Sequence, residues 1–590
     1  MKERKQIAEK YKWDLSPLCK NDEEFYQKLA LVDNYLKQFK KFEGKLNNKK
    51  DIWAFLQLDK KFDEEIEPAL LYAHLKCDEV LSDSKRVEMD EKIEYIFSNF
   101  SIQTAFASSE LHELSNELLD DIISDKKFKD YNRMFEDIKK SKKHKLSKKE
   151  EKLIAGMSFL GGFSSNMEKL SDVDIDFGKV RDSKGKLYPL NHAKYGLYMR
   201  SKDRDLRKNT IISLNGKYGQ YINTFANNYL CDVKADCYFA KVRNYPSALE
   251  ASLFNEEVTR KVYDTLIGSV HNNFDVLFDY FKLKQKQMGL KDFYIYDVMA
   301  ETATKNNQKI SYDQAIDMIK EAVSPLGDEY VSLIQRAKDE RWIDVYPNKD
   351  KRSGAYQTGI YGVHPYVLSN FEEDLDGVFT LAHELGHAMH SYFSNKTQPR
   401  QKADYTIFLA EIASTTNEML LLNYLLKKAK TKTEIVALYN KLFEEIKSTL
   451  FRQTMFAEFE EWVHDSQEKG ESLTKDKLCD YYYDLNKQYF GKTKLVPEIK
   501  YEWARIPHFF SAFYVYKYAT GIICALNFVN KILTEGERGV QDYYKFLTAG
   551  CSDTPINILK NAGCDLESEK PFNYTFDYLR NMLSQWKNLK

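Results

Sequence analysis

Apolar residues recur every three to four positions along most of this chain, the spacing that gathers them on one face of an α-helix. Residues 21 to about 170 read as a series of amphipathic helices. Asn21-Asp22-Glu23-Glu24 forms a helix start, and Ser147-x-x-Glu150 forms a capping box ahead of Leu153 and Ile154. Helical patterning returns from 195 to 345, with Pro246 near a helix start. Two stretches break the pattern. In the first, Val173, Ile175 and Phe177 alternate with Asp174 and Asp176, which is strand periodicity. Asp182-Ser183-Lys184-Gly185 supplies turn chemistry, and Leu187-Tyr188 can begin a return strand. This hairpin is taken as the boundary between an N-terminal helical lobe, 1–190, and a second domain, 191–590. The second stretch is Lys351 to Phe371. Gly354, Gly359, Gly362 and Pro365 break any helix there, while Tyr356, Thr358, Ile360 and Tyr361 favour extended backbone. A short sheet is expected, either with an edge that hydrogen-bonds an extended peptide or as an ordinary connecting hairpin. The fold class that follows is mainly α with a small β-sheet.

Composition supports long helices, since 590 residues contain only 24 glycines and 12 prolines. Charge narrows the partners. Lys+Arg 88 nearly cancels Asp+Glu 89, which argues against a general nucleic-acid or membrane-surface binder. The basic run Lys139 to Lys152 lacks interleaved aromatic residues and reads as a solvated face. The eight cysteines are scattered, with no C-x-x-C pair, as in a reduced chain. The N-terminus MKERKQIAEKYKWDL has no apolar core of a signal peptide, and no run of about twenty apolar residues occurs. A soluble cytoplasmic protein is expected, with its oligomeric state left open.

Chemistry concentrates in Phe379 to Phe393, FTLAHELGHAMHSYF, which contains His383-Glu384-Leu385-Gly386-His387. Val378, Leu381, Ala382, Leu385 and Met389 form one apolar stripe, so the stretch is helical, with the histidines on the flank of that stripe. Residues four apart on a helix lie one above the other, so both imidazoles can ligate one cation, with Glu384 beside it. Zinc accepts neutral nitrogen ligands and makes a water at its open position acidic. A carboxylate next to that water can take its proton and later pass it to a leaving amine. The pattern suits metal-assisted hydrolysis of an amide.

Two histidines do not complete a zinc site. His390 lies seven residues after His383, a helical rise of about 10.5 Å, whereas ligand atoms around one zinc sit about 3–3.5 Å apart. It is expected behind the ligands, supporting or packing against them. Position 393 is phenylalanine, which excludes the pattern with a third histidine ten residues after the first. A second helix follows, Tyr405 to Leu420, after a turn near Pro399. If the two helices run antiparallel, residues equidistant from the turn face each other. His387 is twelve before it and Glu411 twelve after it, which makes Glu411 the third ligand. Glu418 shares its face and could hydrogen-bond the outer nitrogen of a ligand histidine. Further along, Arg505 to Gly521 is dense in neutral donors able to hold an oxyanion. Tyr514 and Tyr518, four apart, would share one helix face. An aromatic core stripe is the other reading of these tyrosines.

HELGHAMH at His383–His390, FLAEIASTTNE around Glu411 and IPHFFSAFYVYKYATG together resemble oligoendopeptidase F, in the M3 (thimet oligopeptidase-like) family of zinc metallopeptidases. KRSGAY before the first helix and RNYPSALE near Arg243 resemble it too. The resemblance runs from about residue 10 to the C-terminus and is strongest from 350 to 525. It implies an elongated, two-lobed helical body whose metal lies deep in a channel between the lobes, open to short unfolded peptides. It implies that His383, His387 and Glu411 bind zinc and that Glu384 is the general base and acid. His508 and Tyr514 would assist the transition state, with Tyr518 as the alternative phenol. The backbone around Gly354, Ala355 and Tyr356 would touch substrate. Better-known thimet-like members carry a glycine-rich loop before the tyrosines, whereas Phe509-Phe510-Ser511-Ala512-Phe513 has no glycine. The expected activity is a cytoplasmic zinc endopeptidase for oligopeptides. A zinc carboxypeptidase of similar fold and a non-catalytic peptide-binding scaffold are the alternatives.

Overall fold

The computed structural model describes residues 1–157, 161–301 and 309–589. Helices dominate it, with two small sheets among the described residues. By contacts the chain divides into two compact units, each assembled from separate stretches. One comprises Met1–Lys143, Asn307–Tyr424 and Lys531–Ala562, the other His144–Asn306, Leu425–Asn530 and Gly563–Lys590.

In the first unit, helices α1 (Lys49–Glu79) and α2 (Ser84–Glu113) form a hairpin around an aromatic core. Asn48 caps α1 by accepting the Asp51 N–H, and Asp83 caps α2. Phe62 and Phe100 stack at 3.9 Å, with Phe39 edge-on to both. A second cluster joins Trp13, Tyr72, Leu75 and Ile93 to Tyr366 and Leu368, and so fixes a sheet to the helices. The expected α1 predecessor also forms: Asn21 caps a helix at Asp22–Leu29.

The second unit contains the hairpin β1 (Lys179–Arg181) and β2 (Leu187–Pro189), with Val180 opposite Tyr188. Two expectations shift here. Pairing begins at Lys179 rather than Val173, because the turn at Asp182–Gly185 sets the register. Residues 170–174 form a π-helical turn instead, leaving Val173 exposed while Ile175 and Phe177 are buried in extended chain. The hairpin lies inside this unit, which begins at His144, so the change of unit does not coincide with the boundary at 190. Turn residues mark local reversals, whereas a compact unit is decided by long-range packing. The Ser147–Glu150 capping box forms as expected.

The sheet of the first unit has order β3-β5-β4, with β3 (Ile343–Asp344), β4 (Tyr356–Thr358) and β5 (Tyr366–Leu368). β4 and β5 pair antiparallel, Gln357 opposite Val367, as the glycine-rich stretch suggested. The parallel partner β3 is too short to leave a periodic signal. Buried charges brace this sheet. Lys351 pairs with Asp344 at 2.7 Å, and both side chains are fully enclosed. Arg4 bonds Asp344 and Glu79, and Arg352 bonds Asp78 at 2.6 Å. Each pair relieves a desolvation cost that either charge alone would carry. No helix among the described residues is long and apolar enough to cross a membrane.

Candidate active site

Helix α3 (Leu375–Thr397) carries the H-E-x-x-H sequence, and α4 (Ile407–Lys428) follows it in the chain. Asp374 caps α3 by accepting the Gly377 N–H at 2.9 Å. The two helices meet closely at Gly386. A Cβ there would lie 2.6 Å from the Ala413 carbonyl oxygen and from the Ser414 Cα. Glycine is therefore the residue that lets the backbones touch. Asn417 of α4, fully buried, donates through Nδ2 to the Ala382 carbonyl at 3.1 Å, and Tyr330 donates its hydroxyl to Asn417 Oδ1 at 2.8 Å. These contacts fix the register of α4 against α3.

That register brings three ligand atoms together. His383 Nε2 and His387 Nε2 are 3.2 Å apart, and Glu411 Oε2 lies 3.4 and 3.5 Å from them. Atoms bound tetrahedrally at zinc distances are separated by about 3.3 Å. Among the described residues this is the group able to hold a metal ion. Glu418 lies 2.7 Å from His383 Nδ1. A carboxylate only accepts, so Nδ1 carries the proton and Nε2 presents its lone pair to the cluster. The donor set of two imidazoles and a carboxylate fits a divalent ion such as zinc.

The electrostatics agree. Burial disfavours charge on His383, yet its hydrogen bonds to Glu411 and Glu418 prevail and hold its pKa up at about 10. Burial likewise pushes against the charge on Glu411, but the two imidazoles hold its carboxyl far below the usual range. A site that draws a proton so strongly draws a cation by the same field. Glu384, on α3 between the histidines, is buried, and burial raises its pKa. His383 and His387 pull in the opposite direction. A carboxyl with a raised pKa is suited to accepting and returning a proton.

His390 is not part of this cluster. Its ring is stacked on Tyr405 at 3.8 Å and packed on Phe546, with no hydrogen-bond partner for either nitrogen. Burial pushes its pKa down to about 3. Of the two roles expected for it, supporting a ligand or packing, these contacts fit packing, because the helical rise carries it among aromatic rings. Gly354, at φ +81°, and Ala355 lead into β4. The Tyr356 hydroxyl donates to Asp78 at 2.5 Å, which commits its phenol to that carboxylate. β4 pairs with β5 on one side alone, and Gln357 accepts from Ser391 of α3 at 3.4 Å.

The second unit holds the other candidates. Helix α5 (Arg452–Glu468) precedes them in the chain, and helix α6 begins at Tyr516 and ends at Glu535. Tyr514 therefore sits in the loop before α6 and does not share a helix face with Tyr518, as its spacing had suggested. The loop nevertheless folds its ring to 5.4 Å from Tyr518. His508 lies in a short 3-10 turn, 6.2 Å from Tyr514 and 5.8 Å from Tyr518 by ring centres. Tyr518 OH is 3.4 Å from His508 Nε2. Burial lowers the His508 pKa. Tyr516 is fully buried, a core residue. Sequence reasoning did not identify Gly386 and Asn417. The signal for Gly386 was a glycine inside a strong helical stripe.

Comparison with known proteins places these observations in a family. Residues 197–578 match the model of Peptidase family M3, and residues 110–177 match that of Oligopeptidase F. The chain is similar to Oligopeptidase PepF of Bacillus subtilis (strain 168), 36% identical over 100% of this chain and 88% of the relative. It is 35% identical to the plasmid oligoendopeptidase F of Lactococcus lactis subsp. cremoris, over 100% and 98%. The crystal structure of oligoendopeptidase-F from Enterococcus faecium superposes with a TM-score of 0.72 at 30% identity, covering 96% of this chain and 99% of that one.

Proposed function

The chain belongs to peptidase family M3, a metalloendopeptidase family, and from that premise we propose how its own residues cut oligopeptides. The observation that carries the reading is the convergence of His383 Nε2, His387 Nε2 and Glu411 Oε2 within 3.5 Å of one another, with Glu418 setting the tautomer. These three atoms would hold one divalent ion such as zinc, which when bound would supply Lewis acidity for amide hydrolysis. Glu384 takes the water's proton on its carboxylate and passes it to the leaving amine nitrogen, so that one residue is base and then acid. The backbone of β4 at Ala355 and Tyr356, after the turn at Gly354, holds the peptide extended by strand addition. The phenol of Tyr514 donates to the carbonyl oxygen as negative charge develops there. His508 donates with it while neutral. Tyr518 hydrogen-bonds His508 and so orients it. The balanced charge and scattered cysteines support work in the cytoplasm.

Digesting a mixed peptide pool, including peptides blocked at both ends, tests this reading. Internal cuts are expected, abolished by a chelator and restored by zinc. Release of single terminal residues alone would instead mark a carboxypeptidase. Cleavage indifferent to chelator would sink the metal-dependent mechanism.

A further inference from the structure

The second unit contains a buried carboxyl that no step above uses. Glu460, on α5, is fully enclosed. Its Oε1 accepts the Phe513 N–H at 3.0 Å, while its Oε2 is buried without a hydrogen-bond partner. Burial raises its pKa well above the carboxylate range, against the pull of the Phe513 amide. One turn along α5, the His464 ring packs 4.6 Å from the Phe513 ring.

Phe513 immediately precedes Tyr514 and has φ +57°. A side chain in that left-handed region is strained and persists only where the surroundings over-determine it. They do so here on three sides. Glu460 holds the amide, and His464 and Tyr263 enclose the ring. Ser252 Oγ donates to the Ala512 carbonyl at 3.3 Å. The loop then closes on itself, Tyr514 N–H to Ser511 carbonyl at 3.1 Å and Ser511 N–H to His508 carbonyl at 2.9 Å. With no glycine from 509 to 513, the turn is fixed by these contacts rather than hinged.

We propose that Glu460 is a positioning residue of the peptidase reaction: by holding the Phe513 amide in its left-handed turn it aims the Tyr514 phenol at the developing oxyanion. This rests on the reading of Tyr514 given above. Misplacing a donor by about an ångström can lower a rate about a hundredfold. E460L is therefore expected to lose about that much kcat with KM little changed, because the lost interaction forms in the transition state. E460Q keeps the acceptor oxygen and the volume, and should recover most of the loss. In the unaltered protein, hydrogen exchange at the Phe513 amide should be as slow as in the neighbouring helices, a measurement that needs no variant to fold. Wild-type kcat in a folded E460L, an E460Q as impaired as E460L, or rapid exchange at Phe513 would each overturn the proposal. Y514F measured alongside separates the two readings. If Y514F loses kcat and E460L does not, only the Glu460 role fails; if Y514F is unaffected, the tyrosine reading fails first and takes this proposal with it.

Discussion

The α3–α4 helix pair and the 508–518 loop carry chemistry in opposite ways. In the helix pair the candidate groups, two imidazoles and a carboxylate, ride on regular helices, so one spacing rule brings His383 and His387 together. The scaffold is cheap to specify, since a glycine at 386 and a buried amide at 417 set the register. In the loop the functional groups are neutral, the backbone is irregular, and one residue sits in a left-handed conformation. Its geometry depends on residues far away in sequence, Glu460 and Ser252 above all. A cluster of charges tolerates small displacements because Coulomb forces fall off slowly with distance, whereas a single neutral donor must be aimed. The difference explains why strain is found beside Tyr514 and not beside His383.

Breaking the helix-borne region should have the largest effect. E384Q leaves the three ligand atoms in place but removes the proton carrier. It is expected to retain metal by elemental analysis while kcat falls about 10³–10⁴-fold. Normal turnover in that variant would remove Glu384 from the chemistry. The loop-borne region comes next. Y514F should lower kcat about 10²–10³-fold, the usual loss for one oxyanion donor, with metal content unchanged. Y518F should lose less if its hydroxyl only orients His508, and steady-state kinetics on one blocked peptide would rank the two. E418A addresses the support of a ligand rather than a ligand. Metal affinity should weaken about 10–100-fold in a chelator competition, while kcat at saturating zinc stays closer to that of the parent. The smallest effect concerns the helix contact itself. G386A forces α3 and α4 apart, and overpacking of this kind costs about 1–3 kcal/mol, read as a lower thermal midpoint. An unchanged midpoint would mean that the close approach is not needed.

The ease of reading followed the same division. Glu411 and Glu418 could be found by counting from the turn, because antiparallel helices convert sequence distance into facing positions. His390 was excluded as a ligand by the same helical geometry that pairs His383 with His387. Three residues beyond His387 the face of α3 has turned toward Tyr405 and Phe546, whose rings pack on it. The β4–β5 ladder was visible in its glycines and β-branched residues, but its parallel neighbour β3 consists of two residues and left no pattern. The hairpin turn at 182–185 was legible while the start of its first strand was not, since the apolar alternation at 173–177 is divided between a π-helical turn that exposes Val173 and an extended stretch that buries Ile175 and Phe177.

Local periodicity and side-chain chemistry thus determined on their own that this is a helical protein and that His383, His387 and Glu411 can meet at one point. Helical spacing is a short-range rule, and four residues suffice to state it. Tertiary structure decided that the chain forms its two compact units from interleaved stretches, that Gly386 brings α4 against α3, and that Glu460 fixes the turn before Tyr514. Those outcomes come from packing between residues tens to hundreds of positions apart, and no window along the sequence contains both partners.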